Sequence, residues 1–235
     1  MKRLDHEMMI ASVARALGED LCAQVAFVGG CTTSLLVTDA FSREQVRHTD
    51  DVDLVVHVMG WAGWYELQAL LRTRGFQDMP PAEDAPICAM RLNGMRVDFM
   101  PSDEEVLGFS NPWYADALKH AQATTLPTGE HIRLVSPPHF VATKLVAYES
   151  RGQNDPLLSQ DIEDLLTLID GRAELPDEVL RTPSVLRHDI AARLANAARH
   201  RDWDYAVSAA CYDDKGRVGR VHDRVGLLIS FSKTV

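Results

Sequence analysis

What the chain lacks narrows its class. Nowhere in its 235 residues is there a run near the roughly 18 consecutive apolar residues of a membrane span, and the opening MKRLDHEMM has no apolar core of the signal-peptide kind. The expectation is a cytoplasmic protein with no membrane partner. Cysteine is scarce: Cys22, Cys31, Cys88 and Cys211 are scattered, with neither a CxxC pair nor Cys/His ligand spacing, which argues against zinc and for reduced thiols. Internal repeats and low-complexity tracts are absent. Positive charge is short as well: the formal net charge is −10, whereas broad nucleic-acid binding rests on many Lys and Arg contacts to phosphate. The basic residues that do cluster, between positions 187 and 224, alternate with aspartates and read as a solvated face of mixed charge.

What is present is a 46% apolar chain, enough to build the core of one large domain or two small ones. Its organising stretch is residues 23–58. A short apolar strand at 25–28 runs into Gly29-Gly30, a short helix of Thr32, Thr33, Ser34, Leu35 and Leu36 follows, and a second strand carries Asp51-Val52-Asp53-Leu54. Side chains alternate along a strand, so Asp51 and Asp53 share a face while Val52 and Leu54 enter a core. Two carboxylates roughly 5 Å apart repel by about 3 kcal/mol at an effective dielectric near ~20, so a cation between them is expected. Mg²⁺ suits best, since carboxylates, waters and substrate phosphates complete its octahedron. Gly29 and Gly30 let backbone approach a ligand closely. The helix start after them offers N–H groups to phosphate, and Thr32, Thr33 and Ser34 add hydroxyls.

Residues 4–21 read as an amphipathic helix with Met8, Ile10, Val13, Leu17 and Leu21 inward and Gly18 near its end. Residues 61–74 read as another, burying Trp64, Leu67, Leu70 and Leu71 and stopped by Gly75, with Trp61 and Tyr65 expected in the core beside Trp64. After a loop at 78–85, Asn93-Gly94 joins two apolar runs, 87–92 and 95–100, into a hairpin. Asp98 lies between Val97 and Phe99 in the second run. Burying an unpaired carboxylate is costly, so Asp98 is either salt-bridged or faces a cavity holding metal or water. Ser136-Pro137 opens a helix to about residue 150, on whose face Lys144, Tyr148 and Arg151 recur. Ser159 caps a helix that carries Asp161 and Asp164 and ends at Gly171. Three helical segments follow, at 177–181, 184–200 and 203–212, then a polar turn DDKGR and an amphipathic piece at 221–231. The shift near Ser136 divides the expected domains, 1–135 of sheet and helix and 136–235 of helix.

Gly-Gly, a helix, Asp-Val-Asp on one strand and a lone Asp on a later strand resemble the nucleotidyltransferase superfamily. Arg47-His48-Thr49-Asp50-Asp51-Val52-Asp53 resembles the R-x-T-x-D-[VI]-D form of AbiEii-type nucleotidyltransferases, the toxins of type IV toxin–antitoxin pairs. Lys144, Arg151 and Asp161-Ile162-Glu163-Asp164 match that group's further residues in order and approximate spacing, so the resemblance covers about residues 23–171. It implies an α/β (α+β) fold, a mixed sheet flanked by helices, followed by a C-terminal helical domain that completes the nucleotide and acceptor cleft. The implied activity is Mg²⁺-dependent transfer of an NMP from a nucleoside triphosphate to an acceptor hydroxyl on RNA or protein, with a cognate antitoxin as partner. Asp51, Asp53 and Asp98 would hold a pair of Mg²⁺ ions, and Asp98 would also take the acceptor's proton. Gly29, Gly30, Thr32 and Thr33 would face the phosphates, Lys144 would neutralise triphosphate charge, Asp161 would support the nucleotide site, and Arg151 would order Asp161 or Asp164. Two other readings are carried beside it: a small-molecule, aminoglycoside-type nucleotidyltransferase, which the acidic charge favours, and a non-catalytic nucleotide-binding or partner-binding module.

Overall fold

The structure, a computed structural model, describes residues 2–80, 86–108, 110–150 and 155–233. Arg151 and residues 81–85 of the expected loop lie outside the described residues. Runs of buried apolar residues build most of one mixed sheet from β1 (Ala26–Val28), β2 (Asp51–Val56), β3 (Gln77–Asp78), β4 (Ala89–Leu92), β5 (Met95–Pro101), β6 (Gln122–Thr125) and β7 (His131–Leu134). Their order is β3-β4-β5-β2-β1-β7-β6. β2 pairs in parallel with β5, setting Asp51 opposite Arg96 and Asp53 opposite Asp98. β1 runs antiparallel to β2 with Val28 opposite Asp53, and parallel to β7.

The mixed α/β class is as expected, and so is the hairpin of β4 and β5. Asn93 (φ 51) and Gly94 (φ 85) both take the left-handed backbone that a two-residue hairpin turn requires. β3 and β6 escape sequence reading because edge strands need no buried face: Gln77 and Asp78 are exposed, and none of Gln122–Thr125 is buried.

Helix Lys2–Cys22 buries Ile10, Val13, Leu17 and Leu21, but Met8 is 62% exposed, against expectation. Gly18 breaks the helical backbone there (φ 71), and a Cβ on it would lie 2.5 Å from Nη1 of Arg74, which donates to the Leu17 carbonyl. Helix Gly60–Thr73 buries Trp64 and Leu71, which are seven residues apart on one face. Trp61 and Tyr65 fall on an adjoining face and are exposed, as is Leu70.

The chain separates into two compact units, Met1–Thr32 with His48–Ser136, which holds the whole sheet, and Thr33–Arg47 with Pro137–Val235. A boundary falls after Ser136, and the segment 33–47 groups with the C-terminal helices. Gly171 explains that grouping. Its carbonyl accepts from the backbone N–H of Thr38 and Asp39, and a Cβ on it would lie 2.5 Å from Val37 and 2.7 Å from Ser42, so only glycine lets the segment fold onto this helix end.

The helical unit contains Pro137–Ser150, Gln160–Gly171, Leu175–Leu180, Ser184–Ala197, Trp203–Ala210 and Lys215–Ser230. The last helix starts at Lys215 rather than near Val221, because the Asp214 carboxylate accepts from the N–H groups of Gly216 and Arg217 and turns the polar DDKGR stretch into a cap and first turn. The basic residues on this helix are not a solvated face. Arg217 and Arg220 both pair with buried Asp170, and Arg224 donates to the carbonyls of Ile169 and Asp170. Three guanidinium groups thus gather at the C-terminal end of helix Gln160–Gly171, where the helix dipole favours cations. Among the described residues no helix is long and apolar enough to cross a membrane.

Candidate functional site

Strand register assembles the acids. Val52, Leu54, Val97 and Phe99 are fully buried on the other face, so Asp51, Asp53 and Asp98 are turned together by the pleat, and their ligand oxygens all lie within 4.8 Å of one another. Asp51 and Asp53 are half-buried, while Asp98 is only 7% exposed. The Thr49 hydroxyl donates to Asp51 across a short hydrogen bond. Asp98 follows the salt-bridge branch of the sequence expectation. It stands among the carboxylates, and it is salt-bridged: Nε and Nη2 of Arg96 donate to its two oxygens at 2.8 and 2.6 Å. The hydrogen bonds from Arg96 to Asp98 raise the arginine's pKa, against an opposing effect of burial, and Asp51 and Asp53 add to the rise. Burial, followed by the nearby Asp98 charge, pushes the Cys88 thiol up to about 12.

Gly29 is tied to this patch by space. Its φ is +73°, and a Cβ built on it would lie 1.8 Å from an Asp53 carboxylate oxygen. Only a residue without Cβ lets Asp53 stand where it does. The turn is closed locally, since the Gly29 carbonyl accepts from both the N–H (3.2 Å) and the hydroxyl (2.8 Å) of Thr32. Thr32 therefore braces the turn, with Gly30 buried beside it. The chain passes from the sheet unit to the helical unit between Thr32 and Thr33. Thr33 and Ser34 are buried, and their hydroxyls have no hydrogen-bond partner among the described residues.

Lys144 and Asp161 belong to a second charged cluster, inside the helical unit. Lys144 Nζ lies 3.0 Å from Asp161 and 2.6 Å from Asp164, and all three are at least nine-tenths buried. Arg47 closes the group with a bidentate pair to Asp164 at 2.9 and 3.0 Å. Burial by itself would lower the Lys144 pKa, but the charges of Asp164 and Asp161 outweigh it and hold the ammonium above the ordinary lysine value. Arg47 orders Asp164, and the pairing with Asp161 or Asp164 expected of Arg151 lies outside the described residues.

Sequence reading did not foresee the partners of two arginines. Arg47 opens the R-x-T stretch, and its partner lies 117 residues away, beyond any local signal. Arg96 left a clue: it precedes Asp98 by two positions on one strand, and so shares its face. Asp50 points away, with its side chain 93% exposed and on His48. His57 is exposed at the end of the strand beside Ser102, not among the acids.

A hard divalent cation fits the patch. All the donors are carboxylate oxygens close enough to share an ion, and the absence of a Cβ at Gly29 leaves room for the Asp53 carboxylate. No protein-family model matches the chain, and no curated protein matches it.

Proposed function

We propose that the chain is an Mg²⁺-dependent nucleotidyltransferase that moves an NMP from a nucleoside triphosphate to an acceptor hydroxyl. The observation that carries this reading is the convergence of Asp51, Asp53 and Asp98 within 4.8 Å beside a glycine that cannot be replaced without displacing Asp53. Bound magnesium would supply charge neutralisation at the attacking and leaving oxygens. Asp51 and Asp53 would hold it from β2 and Asp98 from β5, with Thr49 orienting Asp51. The Gly29-Gly30 backbone, braced by Thr32, would receive phosphate. In the transfer, the acceptor oxygen bonds to the α-phosphorus and the bond to the bridging oxygen breaks. Pyrophosphate leaves with that electron pair, and the hydroxyl proton passes to Asp98. Lys144 and Asp161 act in this reading as the internal frame of the helical unit, because the ammonium already faces two aspartates.

The AbiEii-like motif supports RNA or protein as acceptor and an antitoxin as partner. The net charge of −10 favours a second reading, a small cationic acceptor of the aminoglycoside kind. The test is transfer of α-labelled nucleotide with Mg²⁺ to RNA, to extract protein and to aminoglycosides. Asp51→Ala and Asp53→Ala should each cut labelling by about a thousandfold or more while the melting temperature holds. Undiminished labelling would sink the assignment, and triphosphate binding without turnover would point to a non-catalytic module.

A further inference from the structure

We propose that a groove at the edge of the sheet, lined by Trp61 and Tyr65, docks a proline-rich segment of a partner protein that carries basic residues beside its prolines. Trp61 and Tyr65 stand one turn apart on helix Gly60–Thr73, 47% and 60% exposed, with ring centroids 5.9 Å apart and the rings tilted by 32°. They open onto a cavity of about 480 Å³ that is lined as well by buried Trp64 and by Pro80, Pro86 and exposed Ile87. All of these residues belong to the sheet unit. Large apolar side chains gathered at one concave surface mark a binding site, unlike single apolar residues scattered over a surface.

Three features choose the occupant. Strand addition is blocked: the groove borders β3, the outermost strand, but that strand is only Gln77 and Asp78, and Pro80, which has no N–H, follows two residues later. A partner that needs no backbone ladder fits instead. A polyproline II segment is such a partner, because it has no internal hydrogen bonds and its rings pack on aromatic faces. Its carbonyls accept hydrogen bonds while its prolines donate none, and the groove answers with donors, the Trp61 indole N–H, the Tyr65 hydroxyl and the Gln68 amide. Charge decides the rest. Arg72, the cation in the lining, gives its fork to Asp78 at 2.9 to 3.2 Å, which leaves the lining neutral on a chain of net charge −10. Nucleic acid is disfavoured there. An exposed ion pair is weak, so a basic residue of the partner can share Asp78, whose side chain is 59% exposed.

The groove is independent of the transfer reading, so its test reads binding alone. The probe is a short fluorescein-labelled peptide of Ala-Pro-Pro repeats ending in two arginines, followed by fluorescence anisotropy with the full-length chain. Binding should saturate below about 1 mM peptide, and Trp61→Ala and Tyr65→Ala should each weaken it about tenfold or more, since aromatic anchors dominate such interfaces. Both side chains are exposed, so the melting temperature of each variant should match the wild type. A peptide with alanine at every proline should bind the unaltered protein about tenfold more weakly, a comparison that stands even if a variant fails to fold. No saturation by about 1 mM, equal affinity for the alanine peptide, or a Trp61→Ala protein with wild-type affinity would overturn the proposal. So would displacement of the peptide by an oligouridine at about 0.15 M salt, which assigns the groove to nucleic acid, or a dimer in sedimentation that Trp61→Ala dissolves, which assigns it to a second copy of the chain.

Discussion

Asp161 and Asp164 in the helical unit, and Asp51, Asp53 and Asp98 in the sheet unit, are both groups of carboxylates drawn together by the fold, yet cations meet them differently. In the helical unit Lys144 pairs with both aspartates and Arg47 pairs with Asp164, and Lys144, Asp161 and Asp164 are at least nine-tenths buried. On the sheet, the fork of Arg96 engages Asp98, and Asp51 and Asp53 are half-buried. A balanced, buried cluster is a structural element whose partners cannot be removed singly without leaving an uncompensated charge. A half-buried patch whose carboxylate oxygens lie within 4.8 Å of one another is one that could hold an ion.

The largest expected effect tests the balanced side. Lys144→Ala should destabilise the protein by about 3–5 kcal/mol, because it leaves buried aspartates against one arginine, whereas Asp53→Asn should move stability by under about 1 kcal/mol. Equal costs in urea unfolding would erase the distinction between the two clusters.

Next in size is Gly29→Ala. The added Cβ would collide with Asp53 and occupy a left-handed backbone position, so about 1–3 kcal/mol of stability should be lost. Mn²⁺ affinity should fall with it, and an alanine variant that binds Mn²⁺ like the wild type would mean that Gly29 does not shape the patch.

A pH series sharpens the comparison further. The folded Lys144 pKa lies above its ordinary value of 10.5, so its contribution is fully present below that value and is lost only as pH rises through the folded pKa. The stability gap between wild type and Lys144→Met should stay level from about pH 7 to about pH 10 and shrink only above that range. A gap that closes by about pH 9 would show that the aspartates do not hold the proton.

The smallest effect belongs to the acid outside both groups. Asp50→Ala should change stability by less than about 0.5 kcal/mol and leave nucleotide transfer unaltered, since its carboxylate is in solvent beside His48. A large loss of transfer would move Asp50 into the site and redraw its boundary.

Much of the fold could be read from local pattern. The Asn93-Gly94 hairpin, the Ser159 cap that accepts from Ile162 and the helix running to Gly171 all follow from backbone chemistry within a few residues. The aromatic residues of helix Gly60–Thr73 were legible only in part: Trp64 is in the core, while Trp61 and Tyr65 are not, because spacing does not say which face of a helix is covered. The polar start of the last helix, and its arginines turned onto Asp170, were illegible for a related reason. A charged residue reads as solvated until a buried partner is known.

The sequence by itself determined that Asp51 and Asp53 lie on one side of a strand and that Arg96 and Asp98 lie on one side of another, because alternation is a property of the extended backbone. Only tertiary structure decided that these strands are parallel neighbours, in the register that sets Asp53 beside Asp98 and Arg96 beside Asp51. It also joined Arg47 to Asp164 and carried residues 33–47 to the helical unit. Local geometry is dictated by sterics and hydrogen bonds a few residues apart. Which distant segments meet is chosen by the burial of whole faces, and that choice is not written in any one stretch of the chain.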